Sequence, residues 1–163
     1  MLGGIAERGT LELVFLNGCC SAALGRAVID AGVRNVVCWE SPTLDSAARV
    51  FSVAFFEAVQ QMINQGNAVN YKAAFASAKR KVEHITRPGK LPSGASADVP
   101  KYELRAPLLT NGVDTSFSEA DYTPKPLAAG IPLLLQPEAS PLAAPAAAPA
   151  GAASSSSIVE MDD

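Results

Sequence analysis

The stretch Leu11–Gly32, LELVFLNGCCSAALGRAVIDAG, decides how the chain is read. Leu11 to Leu16 is a short apolar run with a β-branched and an aromatic residue, the composition of a buried strand. The run breaks at Asn17-Gly18, and two adjacent cysteines, Cys19 and Cys20, follow. Ala23, Leu24, Ala27, Val28 and Ala31 then recur at helical spacing, and Gly32 is placed to stop the helix. Arg34 to Glu40, RNVVCWE, is a second apolar run. Strand, helix and strand within roughly thirty residues form a βαβ unit, with parallel strands and a right-handed crossover.

Working outward, SPTLDSAARVFSVAFFEAVQQMINQG predicts a long helix. Phe51, Phe55, Val59 and Met62 form its apolar stripe, Asp45 or Thr43 its N-cap, and Gly66 its stop. NYKAAFASAKRKVEHI predicts another amphipathic helix, with Tyr71, Phe75, Ala78 and Val82 on one side. TRPGKLPSGASADVP reads as a polar loop, and KYELRAPLL as a short edge strand. The order β-α-β-α-α indicates an α/β protein with a mainly parallel sheet. Two strands with three helices leave that sheet incomplete, because parallel strands are ordinarily flanked by others.

Composition sets limits on function. The chain has 163 residues, a formal net charge of -3 and three cysteines. A slightly acidic balance predicts no general attraction to nucleic acid or to acidic membranes. MLGGIAERGT lacks the basic start and apolar run of a signal peptide, and GIPLLL is far too short to cross a bilayer. An odd number of thiols fits a reducing intracellular setting. Cys19 and Cys20 are not expected to bridge each other, because bridged Cα atoms ordinarily lie farther apart than chain neighbours. From about Pro124 onward Pro, Ala and Ser dominate, with too few large apolar side chains to offset the entropy of ordering. Residues 111–163 are therefore expected to form an extended, disordered tail behind a domain at 1–110.

The turn between the first strand and its helix carries the chemistry. Parallel neighbours end on the same side of a sheet, and open α/β folds bind ligands outside those ends. The segments bearing Cys19–Cys20 and Cys38 thus project toward one rim. A thiol opening a helix feels the positive end of the macrodipole, which favours thiolate. Gly18 admits a substrate backbone, and its N–H is placed to hold an oxyanion. A structural role competes with this reading, since cysteine is among the most buried residue types. A zinc site from Cys19, Cys20, Cys38 and His84 lacks the usual ligand spacing, so no metal or cofactor is expected. Nor does a glycine-rich phosphate loop follow the first strand.

Residues 11–82, from LELVFLNGCCSAALGRAVIDAGVRNVVCWESPTLDSAARVFSVAFFEAV to AFASAKRKV, resemble the C-terminal half of a CHAT domain. The shared features are an apolar strand ending in a small residue and Cys, a helix ending in AG, a VV.W strand, an Asp, and a helix with F...F. The resemblance implies a caspase-like three-layer α/β sandwich and, in active members, cysteine endopeptidase chemistry. On it, residues 1–110 form a partial CHAT domain, Cys19 is the nucleophile candidate and Cys20 the alternative. Gly18 lies on the oxyanion side, and Asp45 falls where substrate-pocket acids lie in the family; Trp39 is, apart from the resemblance, a candidate pocket wall. Trp39 also has a plain packing reading, as an indole beside its helix with one edge wet.

The family's general base is a His on an earlier strand. Eighteen residues precede Cys19 here and none is His. His84 sits downstream, where a helix C-terminus favours an exposed cation. The expectation is a domain that is inactive alone, or a non-catalytic interaction module of the same fold. Its partner is then a protein or peptide, including another chain that completes the fold. Lys79, Arg80 and Lys81 read as a solvated helix end, because no stacking aromatics are interleaved with them.

Overall fold

A computed structural model describes residues 11–91, 93–110, 113–114 and 125–137, with the backbone alone at 109–110 and 113–114. The first five elements follow the order that periodicity predicts: β1 (Leu13–Phe15), α1 (Ala22–Asp30), β2 (Asn35–Trp39), α2 (Asp45–Asn64) and α3 (Tyr71–Glu83). β1 and β2 pair in parallel, from Leu13 opposite Asn35 to Phe15 opposite Val37. The chain is thus mixed α/β, with three helices and small sheets among the described residues.

β2 is the middle strand, and all five of its residues are buried. A strand covered on both faces shows no polar alternation, which explains the unbroken run Val36 to Trp39. Val37 and Trp39 join one core cluster with Phe51 and Phe55 of α2 and Ala78 and Val82 of α3. Val36 and Cys38 join a second, with Ala22 and Val28 of α1. The first cluster contains the apolar stripes read from the two long helices. Phe51 stacks edge-on against both Trp39 and Phe75, with centroids 5.4 Å apart in each pair. Full burial of Phe51 contributes about 1.5–3 kcal/mol.

Three expectations need correction. The sheet is not mainly parallel: β9 (Pro132–Leu135) lies antiparallel on the other side of β2, with Val36 opposite Leu135 and Trp39 opposite Pro132. The expected tail therefore fails over residues 125–137, which supply a core strand. β2 needs that partner because a strand sealed on both faces cannot leave its second edge of N–H and C=O groups unpaired. The expected tail fails also at Val113–Asp114, which form a strand, and the rest of it, residues 111–112, 115–124 and 138–163, lies outside the described residues.

The polar loop is instead a hairpin of β3 (Thr86–Lys90) and β4 (Ser96–Pro100), turning at Gly94, where φ is +79°. Its strands alternate exposed and half-buried residues, and their prolines suit a two-stranded ribbon with free edges. The edge strand expected in KYELRAPLL forms as β5 (Tyr102–Glu103), but in a separate pair with β8 (Leu127–Ala128). β6 (Leu109–Thr110) and β7 (Val113–Asp114) make another short antiparallel pair. Among the described residues no helix is long and apolar enough to cross a membrane.

The helix ends differ in detail from their expected caps. Gly32 and Gly66 sit just beyond α1 and α2 with φ of +95° and +71°, the left-handed stop that glycine permits. Leu44, not Thr43 or Asp45, is the N-cap of α2, and Asp45 is its first helical residue. α3 opens on Asn70, whose Oδ1 accepts the Ala73 N–H at 3.0 Å.

Candidate functional site

The rim at the C-terminal ends of β1 and β2 is built by two serines. The last β1–β2 ladder bond runs from Leu16 N–H to Val37 C=O at 2.8 Å. The next would join Trp39 N–H to Leu16 C=O, but the Ser21 hydroxyl stands between them. It accepts from Trp39 N at 3.0 Å and donates to Leu16 O at 3.3 Å. On the β9 side the Ser41 hydroxyl accepts from Ile131 N, just before β9, at 3.0 Å and donates to the adjacent loop carbonyl of Pro42 at 2.9 Å. Each hydroxyl uses its donor and acceptor to satisfy backbone groups at or just past the strand ends. Ser21 is the N-cap of α1, yet it makes no side-chain capping bond, because its oxygen is committed to the sheet.

Cys19 and Cys20 lie in the turn between β1 and α1, and both are exposed. They precede the helix rather than open it, since α1 begins at Ala22. What holds the turn is the loop after β2. The Thr43 N–H donates to the Cys19 sulfur at 3.3 Å, and the Cys19 thiol donates to Thr43 O at 3.5 Å. Cys20 N–H donates to Ser41 O at 3.2 Å. Cys20 takes φ +52°, a left-handed conformation unusual for a residue with a side chain. Gly18 is exposed, and a Cβ built on it would meet nothing within 4 Å, so the space beside the two thiols is open.

The remaining candidates stand differently toward this turn. Cys38 points into the core beneath α1, where a Cβ on Gly25 would come within 2.9 Å of its sulfur. Burial pushes its thiol above the ordinary range, Arg26 opposing the shift and Glu40 adding to it. Trp39 is 0% exposed, so it walls no open pocket. Its indole N–H donates to Asn17 Oδ1 at 3.1 Å, which ties the core to the thiol turn. Asp45 is exposed in the first turn of α2. His84 caps α3 with Nδ1 2.7 Å from Arg80 O, and it makes no hydrogen bond to either rim cysteine. Among the described residues no three His, Cys, Asp or Glu side chains gather as a metal ion requires.

The chain matches no family model, no curated protein and no solved structure. Its functional reading therefore rests on the rim's own geometry. That geometry offers an exposed sulfur at the end of a half-buried strand paired with a fully buried one, with open space at a glycine and two backbone groups fixing the sulfur's position.

Sequence reasoning missed the residues that build the rim. Ser21, Ser41 and Thr43 each follow the end of a strand, a recognisable place for hydroxyls that finish a ladder. Gly130 was also missed. Its φ is +97°, and a Cβ there would lie 2.7 Å from Thr43 Oγ1 and 2.9 Å from Pro42 O. Only glycine lets the strand entering β9 press so close to the loop that holds Cys19.

Proposed function

We propose that this chain carries the nucleophile side of a CHAT-type, caspase-like domain, with Cys19 in the nucleophile's place and no peptidase activity of its own. On this reading α1, the β1–β2–β9 sheet and the α2–α3 pair are the three layers of such a domain. The observation that carries it is the exposed Cys19 sulfur at the C-terminal end of β1, beside β2 in parallel and next to the open face of Gly18. A cysteine nucleophile needs an imidazole within hydrogen-bond reach. The sequence has one histidine, His84, and it is engaged at the end of α3.

That same observation favours a second reading, a non-catalytic module of the same fold that binds a protein or peptide. Incubation of the chain with a fluorogenic peptide library tests both, with Cys19→Ala and Cys20→Ala as controls. The expected result is no thiol-dependent cleavage, and robust cleavage abolished by Cys19→Ala refutes it. Alkylation rate against pH then separates the two readings. A thiol titrating like free cysteine favours the binding module, and a markedly more acidic one the protease lineage.

A further inference from the structure

A groove of about 490 Å³ lies between the outer side of α2, the end of α3 and the start of β5. Val50, Val53 and Ile85 give it an aliphatic part of its lining, and Val53 is 57% exposed although it is apolar. Three cations, Arg49, Lys81 and Lys101, line it against a single carboxylate, Glu57. None of the three is in an ion pair with a described residue. Lys101 rests over the Tyr102 ring, 5.0 Å from its centroid, and the Tyr102 hydroxyl donates to Ser46 Oγ at 2.9 Å, which firms one end of the groove.

We propose that this groove binds an extended peptide segment in which aliphatic side chains alternate with Asp or Glu. The volume falls in the range of ligand sites, and such sites pair an apolar lining with a few placed polar groups. Length points to a peptide. From Ser46 to Glu57 the helix rises about 16 Å, the length of about five residues of extended chain. Alternation follows from the strand period, which sends successive side chains to opposite sides. Aliphatic residues on one side cover Val53 and its neighbours, while the carboxylates meet Arg and Lys side chains reaching over the rim. An excess of two positive charges selects against a basic or neutral segment. Binding here needs no nucleophile, and no outcome bears on the reading of Cys19.

The test titrates a fluorescein-labelled peptide of alternating Glu and Ile or Val with the full chain, followed by anisotropy at low and high salt. Saturable binding is expected, weakened by salt and weakened about tenfold or more by R49Q/K81Q. K72Q/K90Q removes the same charge outside the groove and should leave the affinity unchanged. V53D, at an exposed position, should abolish binding while thermal melting stays as in the parent. No saturable binding overturns the proposal. So does equal affinity for the peptide with Gln in place of Glu, equal weakening by K72Q/K90Q, or undiminished binding by R49Q/K81Q and V53D.

Discussion

Gly25 and Cys38 set how closely α1 lies on the sheet. Within a helix, Gly→Ala ordinarily gains up to about 1 kcal/mol. Here the added Cβ would stand 2.9 Å from the Cys38 sulfur, 3.1 Å from Leu135 Cδ1 and 3.3 Å from Cys38 Cβ. Overpacking of this kind costs about 1–3 kcal/mol and outweighs the propensity gain. Gly25→Ala is therefore expected to destabilise the protein by about 1 kcal/mol in urea titration, and by clearly less when Cys38→Ala has removed the sulfur. Equal costs in the two backgrounds would sink the explanation, because residues in contact must couple. Cys20 predicts the opposite sign. Its φ of +52° costs a side-chain-bearing residue about 1–2 kcal/mol, and its side chain is exposed. Cys20→Gly should raise stability by about 0.5 kcal/mol after the glycine's own entropic cost. A measured loss would mean that this thiol makes a contact worth more than the strain.

Among the elements, β9 most changes the picture of the fold. Leu134 packs on the cluster of Val37, Trp39 and Phe51, while Leu133 and Leu135 pack on the α1 side. Asn35 fastens the far end of the sheet, its Nδ2 donating to Glu12 O at 2.9 Å and its Oδ1 accepting from Gln136 Nε2 at 2.7 Å. Leu134→Asp places a carboxylate in an apolar layer and is expected to cost about 3 kcal/mol or more, seen as loss of a cooperative thermal transition. A change within about 0.5 kcal/mol would instead fit a surface residue with no part in the core. β1, α1, β2, α2 and α3 were legible because each announces itself through its own period and stop signals. β9 was not. Its four residues sit among Pro, Ala and Ser, and its partner lies about a hundred residues earlier, Val36 against Leu135. The β3–β4 hairpin was hidden similarly, since Pro88, Gly89 and Pro100 advertise turns while occupying strands.

For the molecule as a whole, the groups with raised pKa make alkaline pH the destabilising direction. Burial raises the Cys38 thiol above its ordinary 9.0. Burial, and then the charge and hydrogen bond of Glu12, raise the Tyr71 phenol above its ordinary 10.0. The Tyr71 hydroxyl lies 3.5 Å from Glu12 Oε2, so this pair links α3 to the start of β1. In both cases the unfolded chain loses its proton first, and above those values the native state binds more protons. The stabilisation is complete below pH 9.0, and falls as pH rises through 9.0 and then 10.0. Melting temperature should hold steady near neutrality and decline beyond that point. Cys38→Ala and Tyr71→Phe should each make the decline shallower, and a decline unchanged in both variants would contradict this origin.

Local periodicity was sufficient to specify the order β1-α1-β2-α2-α3, the parallel pairing of the first two strands and the place of two thiols in the turn between β1 and α1, whereas their exposure is a finding of the structure. Those features depend on residues close along the chain, whose spacing of apolar side chains and glycines writes the structure directly. Tertiary contacts alone decided that β9 closes the second edge of β2, that Cys38 and Trp39 turn inward, and that Ser21 and Ser41 part the strands at the rim. Each of these depends on which distant backbone must satisfy a buried N–H or C=O group and which distant side chain fills the neighbouring space, and neither is written in the local pattern.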